Sequence, residues 1–127
     1  LMGLKGLKRV QDAIEDLEHN VNDKIRAVWL QGLGNIITNA PVDEGRFKNN
    51  FFVDVGKPNP GIRYQVDESG SASTASLYSG MPEYVIGKTI YMTNNLPYAE
   101  WLEYGSQQHK GQIRIEIQRM QRAVKKL

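Results

Sequence analysis

"IYMTNNLPYAEWLEYGSQ", residues 90–107, is the stretch on which the fold turns. Its first residues, Ile90-Tyr91-Met92-Thr93, have the β-branched and aromatic content of a strand. Pro97 then opens a short helix over 97–105, because its fixed φ suits a first turn, with Asn94 or Asn95 placed to cap it. Tyr98, Trp101 and Leu102 fall on one face at i, i+3, i+4, and Gly105 suits a left-handed C-terminal stop. The expected packing sets Tyr98, Trp101 and Leu102 against a sheet and a longer helix. Glu100 and Glu103, about one turn apart, are expected to point the same way as surface acids.

Upstream, residues 83–95 carry a β pattern, either two strands about a Gly87-Lys88 turn or one bulged strand. Residues 4–39 contain no proline, and Val10, Ile14, Leu17, Val21, Ile25 and Val28 recur on a 3.6-residue period. A helix over this stretch, within 1–40, would run roughly 50 Å, more than a small core covers along its length. It therefore kinks, with Gly32 and Gly34 as the place, or packs on another subunit, and Asn39-Ala40-Pro41 ends it. Phe51–Val55 reads as a strand, and 61–68 as a second strand pairing with it in a hairpin. "ESGSASTASLYSG" is too poor in apolar residues to hold a core, so 66–82 is expected to be a mobile loop that orders on a partner. On that reading residues 69–79 are dispensable for folding. Ile113, Ile117, Met120, Val124 and Leu127 recur at four, three, four, three, giving a C-terminal helix over 112–127. The expected fold is α+β in one domain, 1–127. A long N-terminal helix packs on a small antiparallel sheet, with strands in 41–95, a short helix and a C-terminal helix.

The 127 residues suffice for one core. Without cysteine, disulfides and thiolate metal sites are excluded, and a reducing compartment is permitted. No apolar run approaches a membrane span, and the first residues do not read as a secretory signal. The net charge of +2 is unevenly spread. From His109 onward six Lys/Arg face one acid, +5, which leaves −3 for the rest. Such polarity suits a DNA contact, or neighbouring subunits meeting head to tail.

No catalytic constellation emerges. Two acids on one helix turn do not make a glycosidase clamp, whose carboxylates face each other across the scissile bond. His19 has Glu15 and Asp23 four residues to either side but no second histidine near, and His109 lies in a Gly- and Gln-rich loop expected to be exposed, so no metal site is assigned. No Ser sits in a nucleophile elbow, and the glycine pairs lack the P-loop lysine. No cofactor is implied. Arg114, Arg119, Arg122, Lys125 and Lys126 lack interleaved aromatics, so phosphate contact without sequence readout is the most they support.

"APVDEGRFKNN" (40–50) resembles the Ala-Pro-x-Asp-Thr-Gly-x-Leu-x-x-Ser motif that follows the first helix in head–tail joining, or tail completion, proteins of long-tailed bacteriophages. Residues 90–107 resemble that family's second motif, a strand, Asn-x-x-Pro-Tyr-Ala, and a helix ending in Glu-Tyr-Gly. Pro41, Asp43, Gly45 and Phe47 carry the first likeness, and Pro97, Tyr98, Ala99, Trp101, Glu103, Tyr104 and Gly105 the second. Glu44, Phe47 and Asn50 depart from the usual threonine, leucine and serine, and "SQQHKGQIR" replaces an Ala-Pro before the last helix. The resemblance implies a structural virion protein of the neck without enzymatic activity, assembled in the host cytoplasm. It implies a cyclic oligomer, a hexamer in the usual case, between the head connector or adaptor proteins and tail terminator or tail tube proteins. DNA would pass through the lumen without sequence readout. Glu100, Glu103, Ser71, Ser73, Arg114, Arg119 and Arg122 are the expected subunit or partner contacts. The alternative is a small nucleic-acid-binding or regulatory protein that uses its basic C-terminal helix.

Overall fold

A computed structural model describes residues 2–127. The first helix, α1, runs unbroken from Met2 to Thr38, about 55 Å at 1.5 Å per residue. Gly32 and Gly34 do not kink it. Gly32 instead lets the C-terminal helix approach, since a Cβ there would lie 2.3 Å from the Met120 side chain. Only the second half of α1 joins the core, through Leu33, Ile36 and Ile37, with Trp29 and Leu30 partly covered. Every residue from Gly3 to Asn20 is exposed, so Val10, Ile14 and Leu17 form an arm that stands off the body. Lys48 Nζ donates to the Thr38 carbonyl at 3.1 Å, closing the helix where its unpaired carbonyls gather.

A single 3-10 turn, Lys48–Asn50, leads into β1, Phe52–Val55. Its antiparallel partner is β2, Ile90–Thr93, with Phe52 opposite Thr93 and Val55 opposite Ile90. The expected hairpin of 50–55 with 61–68 does not form. Pro58 and Pro60 remove backbone donors, and residues 61–65 are held by side chains in place of a ladder. Asn50, fully buried, accepts Arg63 N–H at 2.7 Å and donates to the Arg46 and Arg63 carbonyls. Arg63 Nη1 donates to the Asn49 and Phe51 carbonyls, and its guanidinium lies 3.9 Å from the centre of the Phe52 ring.

The serine-rich segment is a helix, α2 (Ser71–Gly80), which corrects the mobile-loop expectation. Its apolar anchors are few, but Leu77 is among the most buried residues of the chain. Its small side chains replace bulk with proximity, since a Cβ on Gly80 would collide with the Val53 carbonyl. Ser76 Oγ accepts Val53 N–H at 3.0 Å, so α2 supplies hydroxyls to the side of β1 that no strand covers. Asn49 Oδ1 accepts Ala72 N–H at 2.9 Å and caps α2 from across the chain. Removing 69–79 would take Leu77 out of the core, so that segment is part of the fold.

Residues 84–86 are not a strand either. Asn22 on α1, buried, donates to the Glu83 carbonyl at 2.8 Å and accepts Val85 N–H at 2.7 Å, so these backbone groups are engaged outside a sheet. The short helix α3 spans Ala99–Tyr104 and the last helix α4 spans Gln112–Lys125. Alpha-plus-beta is thus the fold class, with helices around a two-stranded antiparallel sheet. Among the described residues no helix is long and apolar enough to cross a membrane.

Candidate functional site

The two motif segments meet in one corner of the fold. Asn94 Nδ2 donates to the Phe47 carbonyl at 3.0 Å, and the Phe47 ring lies 6.1 Å from Tyr98 and 5.3 Å, edge-on, from Phe51. Phe47 fills an apolar slot in the core. Gly45 is there for two reasons. Its φ of +88° favours glycine, and a Cβ would lie 2.3 Å from the Asp67 backbone, where Asp67 N–H donates to the Gly45 carbonyl. Burial raises the Tyr98 hydroxyl pKa, while the nearby Arg46 draws it down and Glu44 and Asp43 push it up. Asp43 is exposed and Pro41 half-buried.

Neither asparagine caps α3. Asn94 Oδ1 accepts Leu96 N–H at 3.3 Å in a local turn, and Asn95 Nδ2 reaches the Asn59 and Gly61 carbonyls. Pro97 precedes α3 by two residues, and Tyr98 occupies the cap position without a side-chain bond. Gly105 is not left-handed, with φ −114°. Its lack of a side chain serves contact with Trp101, whose indole carbon would lie 2.7 Å from a Cβ. Trp101 itself is 59% exposed, so it does not pack on the sheet, and Tyr98 and Tyr104 are exposed as well, whereas Leu102 and Ala99 are half-buried. An aromatic surface results, with the Arg114 guanidinium 4.3 Å from the Tyr104 ring centre.

Glu103 departs most from expectation. It is only 8% exposed, and it points into the fold while Glu100 remains at the surface. Its two carboxylate oxygens accept the Ile113 and Arg114 N–H groups at 3.0 Å each, and Arg114 Nε closes an ion pair at 3.3 Å. A carboxylate at the first turn of α4 satisfies donors that have no helical partner and meets the positive end of the helix dipole. The Glu103 carbonyl also accepts from Gly111 N–H at 2.8 Å and Arg114 Nη2 at 3.0 Å. Glu103 is therefore the joint between α3 and α4, which a surface assignment misses.

Beside this joint lies a pocket of about 350 Å³, lined by Asn35, Pro41, Phe47, Glu103, His109 and Glu116 among others. Glu116, also buried, accepts from Asn35 Nδ2 at 3.0 Å and from Arg119 Nη1 at 3.2 Å. An acid within the Ile113–Ile117–Met120 stripe was the sequence signal for this buried group. His109 is half-buried, not exposed, and its Nδ1 lies at the pocket wall without a hydrogen-bond partner. Both carboxylates are committed to fixed donors, so they orient helices and hold charge in place. Among the described residues no cluster of three His, Asp or Glu has a metal-holding arrangement.

The expected contact residues divide. Ser73 is fully buried and bonded within the fold, while Ser71 is exposed and donates to Asp67. Arg114 and Arg119 are engaged with Glu103 and Glu116, whereas Arg122, Lys125 and Lys126 are exposed near the end of α4 and form no ion pair among the described residues. Comparison of the chain with family models, curated proteins and solved structures gives no match.

Proposed function

We propose that this chain is a structural protein of a phage neck, one subunit of a ring that joins the DNA-filled head connector to the tail. The observation that carries the reading is the corner where residues 40–50 meet 90–107. The two stretches that resemble the neck-protein motifs pack on each other through Phe47, Asn94 and Tyr98. Motif residues on this reading are scaffold residues. Gly45, Phe47, Glu103 and Gly105 fit that role, since each is fixed by a contact within the fold.

Two further features support assembly over catalysis. The arm of α1 exposes an apolar face that its own body does not cover. The arm itself is charge-polarised, with Lys5, Lys8 and Arg9 in its first half and Asp12, Glu15, Asp16 and Glu18 in its second, a pattern that suits contact between copies. With Arg114 and Arg119 drawn into ion pairs, Arg122 and Lys125 on α4 and Lys126 just past it are left to serve a nucleic-acid-binding role, fewer than the sequence offered. The ring partners are further copies of the chain, head connector proteins on one side and tail proteins on the other.

Disrupting the gene in its virus tests the proposal. Filled heads and separate tails should accumulate, and added protein should join them in an extract. Normal joined particles would overturn the reading. Tight, salt-dependent DNA binding lost on neutralising Arg122, Lys125 and Lys126 would favour the alternative.

A further inference from the structure

Between β1 and α2, residues 58–67 run without helix, turn or bend. Their main chain is bonded to the body at every second residue. The Asn59 and Gly61 carbonyls accept from Asn95 Nδ2 at 2.7 and 2.8 Å, and the Gln65 carbonyl accepts from Asn49 Nδ2 at 3.3 Å. Asn50 takes both main-chain groups of Arg63, and Asp67 N–H donates to the Gly45 carbonyl at 3.3 Å. The odd residues thus form one edge of an extended chain, zipped to the fold mostly by asparagine side chains.

The even residues form the other edge. In an extended chain the N–H and C=O of one residue point to the same side, and those of the next residue point to the opposite side. Among the described residues no hydrogen bond reaches the main chain of Ile62, Tyr64 or Val66. Their side chains stand in solvent as well, 37%, 81% and 52% exposed. Pro60, which has no N–H, bounds this open edge on one side, and the turn at 68–69 bounds it on the other. A row of unpaired donors and acceptors at two-residue spacing is complementary to another extended chain.

The open edge is also complementary to itself. A two-fold axis through Tyr64 sets Ile62 opposite Val66 and Tyr64 opposite Tyr64, so that every open residue faces an open residue. In that antiparallel register each of these pairs exchanges both of its N–H···O bonds. The side chains agree with it: β-branched meets β-branched and aromatic meets aromatic, pairs that stabilise neighbouring strands. Arg63 falls opposite Gln65, and Gly61 opposite Asp67, so no like charges meet.

We infer that segment 61–67 of one copy pairs antiparallel with the same segment of a second copy, in the register centred on Tyr64. The contact is isologous, with the same patch on both sides. It goes beyond the neck reading and does not rest on it. Three open residues on each side make a short ladder, so the dimer forms at high protein concentration.

The absence of cysteine makes the register readable. With a short thiol-to-thiol cross-linker, Tyr64→Cys should link to itself, and Ile62→Cys should link to Val66→Cys when the two variants are mixed. Self-linking of Ile62→Cys alone would assign a parallel pairing and overturn the inference, as would the absence of links up to millimolar protein. Links from these positions to a head or tail protein in particles, with none between copies, would give the edge to a foreign strand and overturn self-pairing.

Main-chain pairing is tested separately. Tyr64→Pro removes an outward N–H from a chain that is already extended, so the thermal midpoint should hold while the link between 62 and 66 is lost. Tyr64→Thr keeps the N–H and should keep the link. A link that survives Tyr64→Pro would show contact without strand pairing and overturn the inference. In the unsubstituted chain, raising the concentration from micromolar to millimolar should slow amide exchange several-fold at Ile62, Tyr64 and Val66 but not at Arg63 or Asp67. Equal slowing at odd and even residues, or none at all, would also overturn it.

Discussion

Ser73 and Phe51, twenty-two residues apart, meet through one hydroxyl: Ser73 Oγ accepts the Phe51 N–H at 2.9 Å and donates to the Lys48 carbonyl at 2.6 Å. A serine helix thus completes the backbone pairing that the absent hairpin strand would have supplied. Ser73→Ala removes the partner of a buried N–H and of a part-buried carbonyl, and should cost about 1–3 kcal/mol in urea unfolding. Ser71→Ala, at an exposed position, should cost less than Ser73→Ala in the same titration.

Glu103 ties α3 to the first turn of α4 through both carboxylate oxygens. Glu103→Ala should destabilise the fold by about 2–3 kcal/mol, since bonds from charged groups are the stronger kind. Amide exchange in α4 should rise more than in α2. Glu103→Gln, which keeps one acceptor oxygen, should fall between wild type and alanine.

Trp101 is mostly exposed, so Trp101→Ala should change stability by less than about 1 kcal/mol, well under the loss for a core aromatic. The thermal midpoint checks this. If the neck reading holds, the same substitution should lower head–tail joining in extracts while the melt barely moves.

Hydrogen bonds from the Ser69 and Ser71 side chains, then from the Ser69 backbone, hold the Asp67 carboxyl down to about 2, against 3.8 ordinarily. A depressed carboxyl stabilises the fold fully above its unfolded value and ceases to do so as pH falls through the folded one. The melting difference between wild type and Asp67→Asn should therefore be flat above about pH 4 and shrink between pH 4 and 2. A difference that grows on acidification would contradict these bonds.

Gly45→Ala should destabilise by more than about 1 kcal/mol, because a positive φ disfavours alanine and the new Cβ meets the Asp67 backbone. Gly105→Ala, at a negative φ, should cost less, since the exposed Trp101 ring is free to swing away. Parallel urea titrations of the two variants compare them.

What was legible followed from periodicity. The helices α1 and α4, the strand at 52–55 and the strand-to-helix corner all appear in apolar spacing and proline placement. The errors share a cause: polar side chains that act as backbone partners. Asn22, Asn49, Asn50, Ser73 and Ser76 each bond to main-chain groups distant in sequence. Single-sequence patterns score such residues as loop formers. Serine abundance therefore concealed α2, and an asparagine pair stood where strand pairing was expected. At the corner, aromatic content implied burial for Trp101, and charge implied exposure for Glu103. Tertiary contacts reverse both.

The pairing of β1 with β2 has a kinetic consequence. Their nearest partners, Val55 and Ile90, are separated by a closure of 35 positions (90 − 55) that contains all of α2. Closing so long a loop loses chain entropy before two short strands return much of it. The sheet should therefore join late, once α2 has docked its hydroxyls on the Phe51–Val53 edge and shortened the effective loop. Substitutions in α2, such as Ser76→Ala, should slow refolding, while those in β2 should chiefly speed unfolding.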